Sequence, residues 1–291
     1  MKRKTDMFDM LLIGVISLWA LLIVLPFLNV VAVSFTSSRE YLAKPLLLFP
    51  SKPTLKNYVD ILEDARIGIG YRTTLRLLIF ALPLNLFLTV TFAYGLSRKG
   101  YPGRGLIFFF VLFTMLFNGG ILPMYMLMMN LGLTNTLGAL VFASGVNTFY
   151  VIITRNFFST LPDSLIESAK IDGAGEWRIL WRIILPLSLP ILATMTLFYT
   201  VDRWNEWWFA KIFIKSASLQ PLQLVLRSMV LESNLMEKIS PDTGAVIIDR
   251  ERFSEGMKMS AVIITMFPVM CIFPFLQRYF VKGVLIGAIK S

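Results

Sequence analysis

The chain has 291 residues, 56% of them hydrophobic and only 16% charged, with a formal net charge of +10 and a mean hydropathy of +0.69. Soluble domains carry about 45–50% apolar residues, so the excess points to a membrane rather than to an unusually large core. With no histidine and one cysteine, Cys271, imidazole metal sites, Ser–His dyads, HExxH zinc motifs and disulfide frameworks are all excluded.

A helix needs about 20 predominantly apolar residues to cross a hydrocarbon core of ~30 Å. The first such run, 10–33, follows Met-Lys-Arg-Lys. It is too long for a signal-peptide core and no small-residue cleavage site follows, so it reads as an uncleaved span. Five more follow at approximately 74–96, 105–128, 137–158, 185–202 and 257–280. None holds a charge near its middle, where Arg, Lys or Asp costs about 2.5–3.5 kcal/mol. The expected fold is an all-α polytopic membrane protein, a single transmembrane domain over 1–291 with about six helices.

Several spans contain breakers. Pro83 and Asn85 are expected to interrupt the second span, and Asn118, Gly119, Gly120 and Pro123 the third. Pro186 and Pro190 open the fifth, while Pro268 and Pro274 lie in the sixth. In lipid the backbone groups so freed must be satisfied by neighbouring helices or a wet cavity. A packed kink and a pathway lining both meet that need. Asn118-Gly119-Gly120 is the strongest candidate for a lining, since it offers a polar side chain and two points of bending.

Basic residues set the orientation. Lys2, Arg3 and Lys4 precede span one, and Arg98, Lys99 and Arg104 separate spans two and three. Arg155, Lys170, Arg178 and Arg182 lie between four and five, with Arg278, Lys282 and Lys290 after six. With six alternating spans all four groups fall on one side, which the positive-inside rule makes cytoplasmic, so both termini are expected there. This is orientation chemistry and not a phosphate-tracking groove, so nucleic acid is not an expected partner.

The informative stretch is 161–190, LPDSLIESAKIDGAGEWRILWRIILPLSLP, with its loop at 161–184. Pro162 and then Asp163 or Ser164 as N-cap, with Glu167 closing a capping box, start a helix. Gly173-Ala174-Gly175 ends it, because glycine supplies a left-handed C-cap. Glu176 starts a second amphipathic helix with Trp177, Leu180, Trp181 and Ile184 expected on one side. Two short helices joined to a proline-marked span form either a lever for a docking partner or an ordinary interfacial loop.

Glu167-Ser168-Ala169-x-x-Asp172-Gly173-Ala174, followed by Ile184-Leu185-Pro186, resembles the EAA loop of ATP-binding-cassette (ABC) importer permeases, with Ser168 in place of a second alanine. Ala93-Tyr94-Gly95-Leu96-Ser97-Arg98, Tyr101-Pro102-Gly103-Arg104, Leu131-Gly132-Leu133, Asn135-Thr136, Trp204-Asn205-Glu206-Trp207 and Tyr279 to Gly283 are similar to the carbohydrate-importer permeases, the binding-protein-dependent inner-membrane components. Pro221-Leu222-Gln223 is similar to the branch serving complex plant or algal oligosaccharides. The resemblance implies a bacterial inner-membrane subunit of type I importer fold that catalyses no covalent step. It also implies a second homologous permease, two cytoplasmic ATPase subunits and an external solute-binding protein as partners. Glu167 to Gly175 would then be the coupling helix and its turn, seated on an ATPase. The chain has no GxxxxGK[ST] phosphate-binding loop, so ATP and Mg are expected on the partners and no cofactor on this chain.

Sugar sites combine aromatic faces with amides or carboxylates. Trp204, Asn205, Glu206 and Trp207, with Trp208 beside them, supply that mixture at the outer end of span five. An aromatic belt at the membrane interface accounts for it somewhat better, and a contact with the docked binding protein is a further functional reading. Asn118, Tyr125 and Asn147 are further pathway candidates, and Arg39, Lys44, Lys52, Lys56 and Arg66 read as a solvated surface first and as an attraction for a uronate-containing substrate second. A membrane enzyme would need converging catalytic groups that the spans lack. An inverted-repeat secondary transporter would show two matching halves, and none is visible.

Overall fold

The computed structural model describes residues 7–44, 47–239 and 255–288. Lys2, Arg3, Lys4 and Lys290 lie outside the described residues, as do the side chains of Arg278 and of the Tyr279 to Gly283 tail. Every regular element among the described residues is helical, because long apolar runs in lipid must satisfy their backbone internally. Three helices are long and apolar enough to cross a membrane, and the number rises to 6 if each bent pair is one span. The chain divides into two compact units, Met1–Gly68 with Val225–Pro268, and Ile69–Leu224 with Val269–Ser291.

In the first unit, α1 (Met7–Ser34) has a most hydrophobic window that is 0% buried, a helix that lipid must cover. Its end is held by α3 (Lys56–Glu63), which follows the short α2 (Ser38–Ala43). Asn57 Nδ2 donates to the carbonyls of Ser34 and Thr36, both at 2.9 Å, satisfying acceptors a helix C-terminus leaves open. Ser260 Oγ donates to the same Ser34 carbonyl at 3.1 Å. A Cβ on Gly256 would lie 2.4 Å from Asn57 Nδ2 and 2.8 Å from the Thr36 carbonyl, so this contact requires glycine. Arg66, expected as a substrate-attracting cation, is instead paired within the protein, 3.0 Å from both Asp64 and Glu232.

The second unit holds the bent spans. Span two is α4 (Ala65–Ser97), begun nine residues before the expected Thr74 and unbroken through Pro83. Proline here removes one hydrogen bond without ending the helix, since Leu77 and Ala81, both 0% exposed, pack into a buried cluster with Leu140, Val141, Ala210 and Ile214. Close approach of α4 to the chain at Leu222 relies on Gly70, whose Cβ would sit 2.9 Å from Leu222 Cα. One turn further on, Thr74 Oγ1 accepts the Leu222 amide at 2.9 Å. Span three is α5 (Arg104–Leu116) and α6 (Ile121–Asn130), bent 109° at the expected Asn118-Gly119-Gly120 break.

Span four was expected to be continuous and is not: α7 (Leu137–Ala143) and α8 (Thr148–Phe158) meet at 52°. After α9 (Asp163–Ile171), α10 (Glu176–Leu187) meets α11 (Leu189–Trp204) at 85°, between Pro186 and Pro190. Beyond α11 the chain continues in α12 (Trp208–Phe213) and α13 (Leu222–Ile239). Span six, α14 (Glu255–Ala288), runs through both Pro268 and Pro274.

Candidate functional site

The Glu167–Gly175 segment is a helix with a glycine-locked end. Helix α9 stops at Ile171, and Gly173 takes a left-handed φ of +76°. The Gly173 amide donates to the Lys170 carbonyl at 3.0 Å and the Ala174 amide to Ala169 at 2.9 Å, the paired bonds of a Schellman cap. The start differs from expectation. The helix opens after Pro162 with no side-chain cap, so the Ser164–Glu167 capping box is absent and Glu167 is left exposed.

One side of this hook is anchored. Ile166 and Ala169 of α9, with Ile179, Leu180 and Ile184 of α10, join Val90, Ala93, Tyr94, Leu96, Val151, Phe158, Ile191 and Met195 in one buried cluster. Burial of each large aliphatic side chain contributes about 1.5–3 kcal/mol, so the hook moves with the spans. Its other side is open. Ile171 is 87% exposed, and Glu167, Ser168, Asp172, Gly173 and Gly175 are exposed, with Ala174 half-buried. The shared face expected for Trp177, Leu180, Trp181 and Ile184 does not form. Leu180 and Ile184 turn inward and the two tryptophans outward, because a π turn spans Leu180–Ile184.

Glu176 ties α10 to the end of span two. It accepts from Tyr94 Oη at 2.5 Å and pairs with Lys170 Nζ at 2.7 Å. The Lys170 ammonium, then the Tyr94 hydroxyl, hold its carboxyl below the usual carboxylate range. A depressed carboxylate pKa contributes stability that is complete above the ordinary value and is lost only as pH falls through the depressed one. Packing of the hook, read by amide hydrogen exchange at residues 166–180, should therefore stay constant through neutral and mildly acid pH and loosen only in stronger acid. Glu176→Gln should raise exchange already at neutral pH.

Sequence reasoning missed a second constellation, at the break in span four. Arg203, 3% exposed at the end of α11, donates from Nη2 to the Ser144 carbonyl at 2.6 Å. Its Nη1 donates to Ser144 Oγ at 2.8 Å and to the Leu140 carbonyl at 3.2 Å. Asn85 of α4, fully buried, donates to the Ser144 and Gly145 carbonyls at 3.1 and 2.7 Å. Tyr199 Oη accepts the Asn147 amide at 3.1 Å and lies 2.6 Å from Thr89 Oγ1. These groups replace the bonds a continuous helix would make. Glu206 supplies a counter-charge 4.0 Å from Arg203. The visible signals were a small polar pair, Ser144-Gly145, inside an apolar run, and a charge pair, Asp202-Arg203, at the end of another.

The expected pathway residues divide by burial. Trp204 is 4% exposed with its ring edge-on to Tyr71, centroids 6.1 Å apart, and Glu206 is 9% exposed and accepts the Phe209 amide at 2.9 Å. Neither offers a surface to a sugar. Asn205 is exposed, 3.3 Å from Gln223 Nε2, and half-buried Trp207 stands edge-on to exposed Trp208 at 5.5 Å. Asn118 is exposed and its Oδ1 accepts the Gly120 amide at 2.9 Å, shaping the break in span three. Tyr125 stacks on Phe213 at 6.0 Å. Asn147 caps α8 by accepting the Phe149 and Tyr150 amides. Among the described residues no cluster of three or more Cys, Asp or Glu side chains could hold a metal.

Residues 81–286 match the model of the binding-protein-dependent transport system inner membrane component family. The polygalacturonan/rhamnogalacturonan transport system permease protein YtcP of Bacillus subtilis (strain 168) is 37% identical over 99% of this chain and 100% of its own length. The diacetylchitobiose uptake system permease protein NgcG of Streptomyces coelicolor is 28% identical, over 94% and 86%. A chain of a bacterial ABC transporter involved in import of the acidic polysaccharide alginate superposes with a TM-score of 0.84 at 26% identity, over 96% of this chain and 99% of that one. An all-helical chain with bent spans, a glycine-locked hook and these likenesses therefore belongs to the inner-membrane permease family of binding-protein-dependent ABC importers.

Proposed function

We propose that the chain moves acidic oligosaccharides, fragments of uronate-containing polysaccharides, across the bacterial inner membrane, with α9 and its Gly173 turn gripping a cytoplasmic ATPase subunit. The observation that carries the coupling is the two-sided hook: Ile166 and Ala169 buried in the span cluster, with Ile171, Glu167 and Asp172 exposed. A force applied to the open side moves spans two, four and five through that shared cluster. A second homologous permease completes the membrane part, and a solute-binding protein delivers the sugar. Two ATPase subunits bind ATP and Mg, while the termini lie on the cytoplasmic side. The acidic cargo rests on the polygalacturonan and alginate relatives and on the exposed cations Lys44, Lys52 and Lys56.

The tagged chain, purified in mild detergent, should bring down an ATPase and a second permease. In nanodiscs with its binding protein, that complex should hydrolyse ATP faster with oligogalacturonate or oligoalginate than with neutral oligosaccharides of equal length. Sugar transport by the chain alone would overturn the coupling, and stimulation by neutral oligosaccharides only would overturn the cargo.

A further inference from the structure

Helix α10 meets α11 at 85°. When α11 crosses the membrane, α10 must lie along its surface, a rod of about 18 Å at 1.5 Å per residue. Its side chains divide by column. Ile179, Leu180 and Ile184, at 0, 2 and 0% exposure, face the buried cluster. Trp177 and Trp181, four residues apart, are 61% and 51% exposed, and Arg178 and Arg182, also four apart, are exposed beside them. Neither arginine has an ion pair or hydrogen bond among the described residues. The nearby Glu176 carboxylate is already taken by Lys170 and Tyr94.

An in-plane helix at this depth meets lipid headgroups. Indole rings partition to the headgroup level, where an apolar body and a polar N–H are both accommodated. Guanidinium forks match phosphate oxygens in paired hydrogen bonds. We infer that Trp177, Arg178, Trp181 and Arg182 form a docking stripe for anionic phospholipid headgroups, holding α10 in the plane of the leaflet. The inference rests on the membrane orientation proposed above. A competing occupant, the ATPase subunit, fits less well. The exposed carboxylates and Ile171 that would meet it are on α9, whereas the stripe is on the element that turns directly into the membrane.

The test uses the whole complex in nanodiscs of phosphatidylcholine and phosphatidylglycerol, with one lipid brominated at a time. Emission from the stripe is the difference between the native complex and Trp177→Phe/Trp181→Phe. Brominated phosphatidylglycerol should quench that emission about twofold more than brominated phosphatidylcholine at equal mole fraction. Arg178→Gln/Arg182→Gln should make the two lipids equal, and Arg178→Lys/Arg182→Lys should keep most of the preference. Equal quenching in the native complex overturns the proposal, and so does emission that neither lipid quenches, which would mean protein covers the stripe. Substrate-stimulated ATPase activity in the same nanodiscs reports separately on the transport reading. Lipid preference without ATPase stimulation would sink that reading and support the stripe.

Discussion

Gly173→Val should leave the chain in the membrane and abolish substrate-stimulated ATP hydrolysis in the reconstituted complex. The reason is conformational. A Cβ at Gly173 would meet nothing within 4 Å, but the residue sits at φ +76°. An L-residue there costs about 1–2 kcal/mol, and a β-branched one more. The hook escapes by surrendering its Schellman bonds, which unseats Ile171, Asp172 and the turn together. Since about 1.4 kcal/mol is tenfold in an equilibrium, coupling should fall by roughly that factor or more. Asparagine tolerates the left-handed region, so the order of retained stimulation should be Gly173→Asn above Gly173→Ala above Gly173→Val. Asp172→Arg, which leaves the turn intact and reverses an exposed charge, should uncouple equally. Undiminished stimulation in both Gly173→Val and Asp172→Arg would refute the coupling role.

Arg203→Leu should be the most destabilising single change in the second unit. It strips the Ser144 carbonyl of its shortest donor and leaves Glu206, 9% exposed, without its counter-charge. Breaking one half of a buried ion pair typically costs about 3–5 kcal/mol. For a chain of this size the apparent Tm should fall on the order of 10 °C. The double variant Arg203→Leu/Glu206→Leu should recover part of that loss, because the stranded carboxylate is removed. Scanning fluorimetry of the purified complex measures both. A single variant as stable as the native protein, or a double variant showing the plain sum of both single losses, would sink the assignment.

The apolar runs were legible because about 20 apolar residues in sequence have few other uses, and the structure answers them, among the described residues, with 3 helices long enough to cross a membrane, or up to 6 if each bent pair is one span. The hook was legible because Gly173 and the acidic residues around it sit at fixed spacing. The break in span three was legible from Asn118-Gly119-Gly120 and the one that opens span five from Pro186 and Pro190. Other prolines misled, since Pro83, Pro268 and Pro274 all lie inside unbroken helices. The bend at 144–147 carries no proline. It exists because Asn85 and Arg203, distant in sequence, supply donors to the carbonyls it frees. Long-range partners of that kind leave no periodicity. Burial separates Trp204 from Trp208 for the same reason, since Tyr71 covers one and not the other.

Span two is about 50 Å long over its 33 residues, against a hydrocarbon layer of ~30 Å. Near one end Gly70 rests on Leu222, and near the other Tyr94 bonds Glu176, with about 36 Å of helix between. Such a tie rod needs no relay. A tilt started at the Glu176 end is registered at Leu222 in the same movement, in inverse sense, as a seesaw registers at both seats.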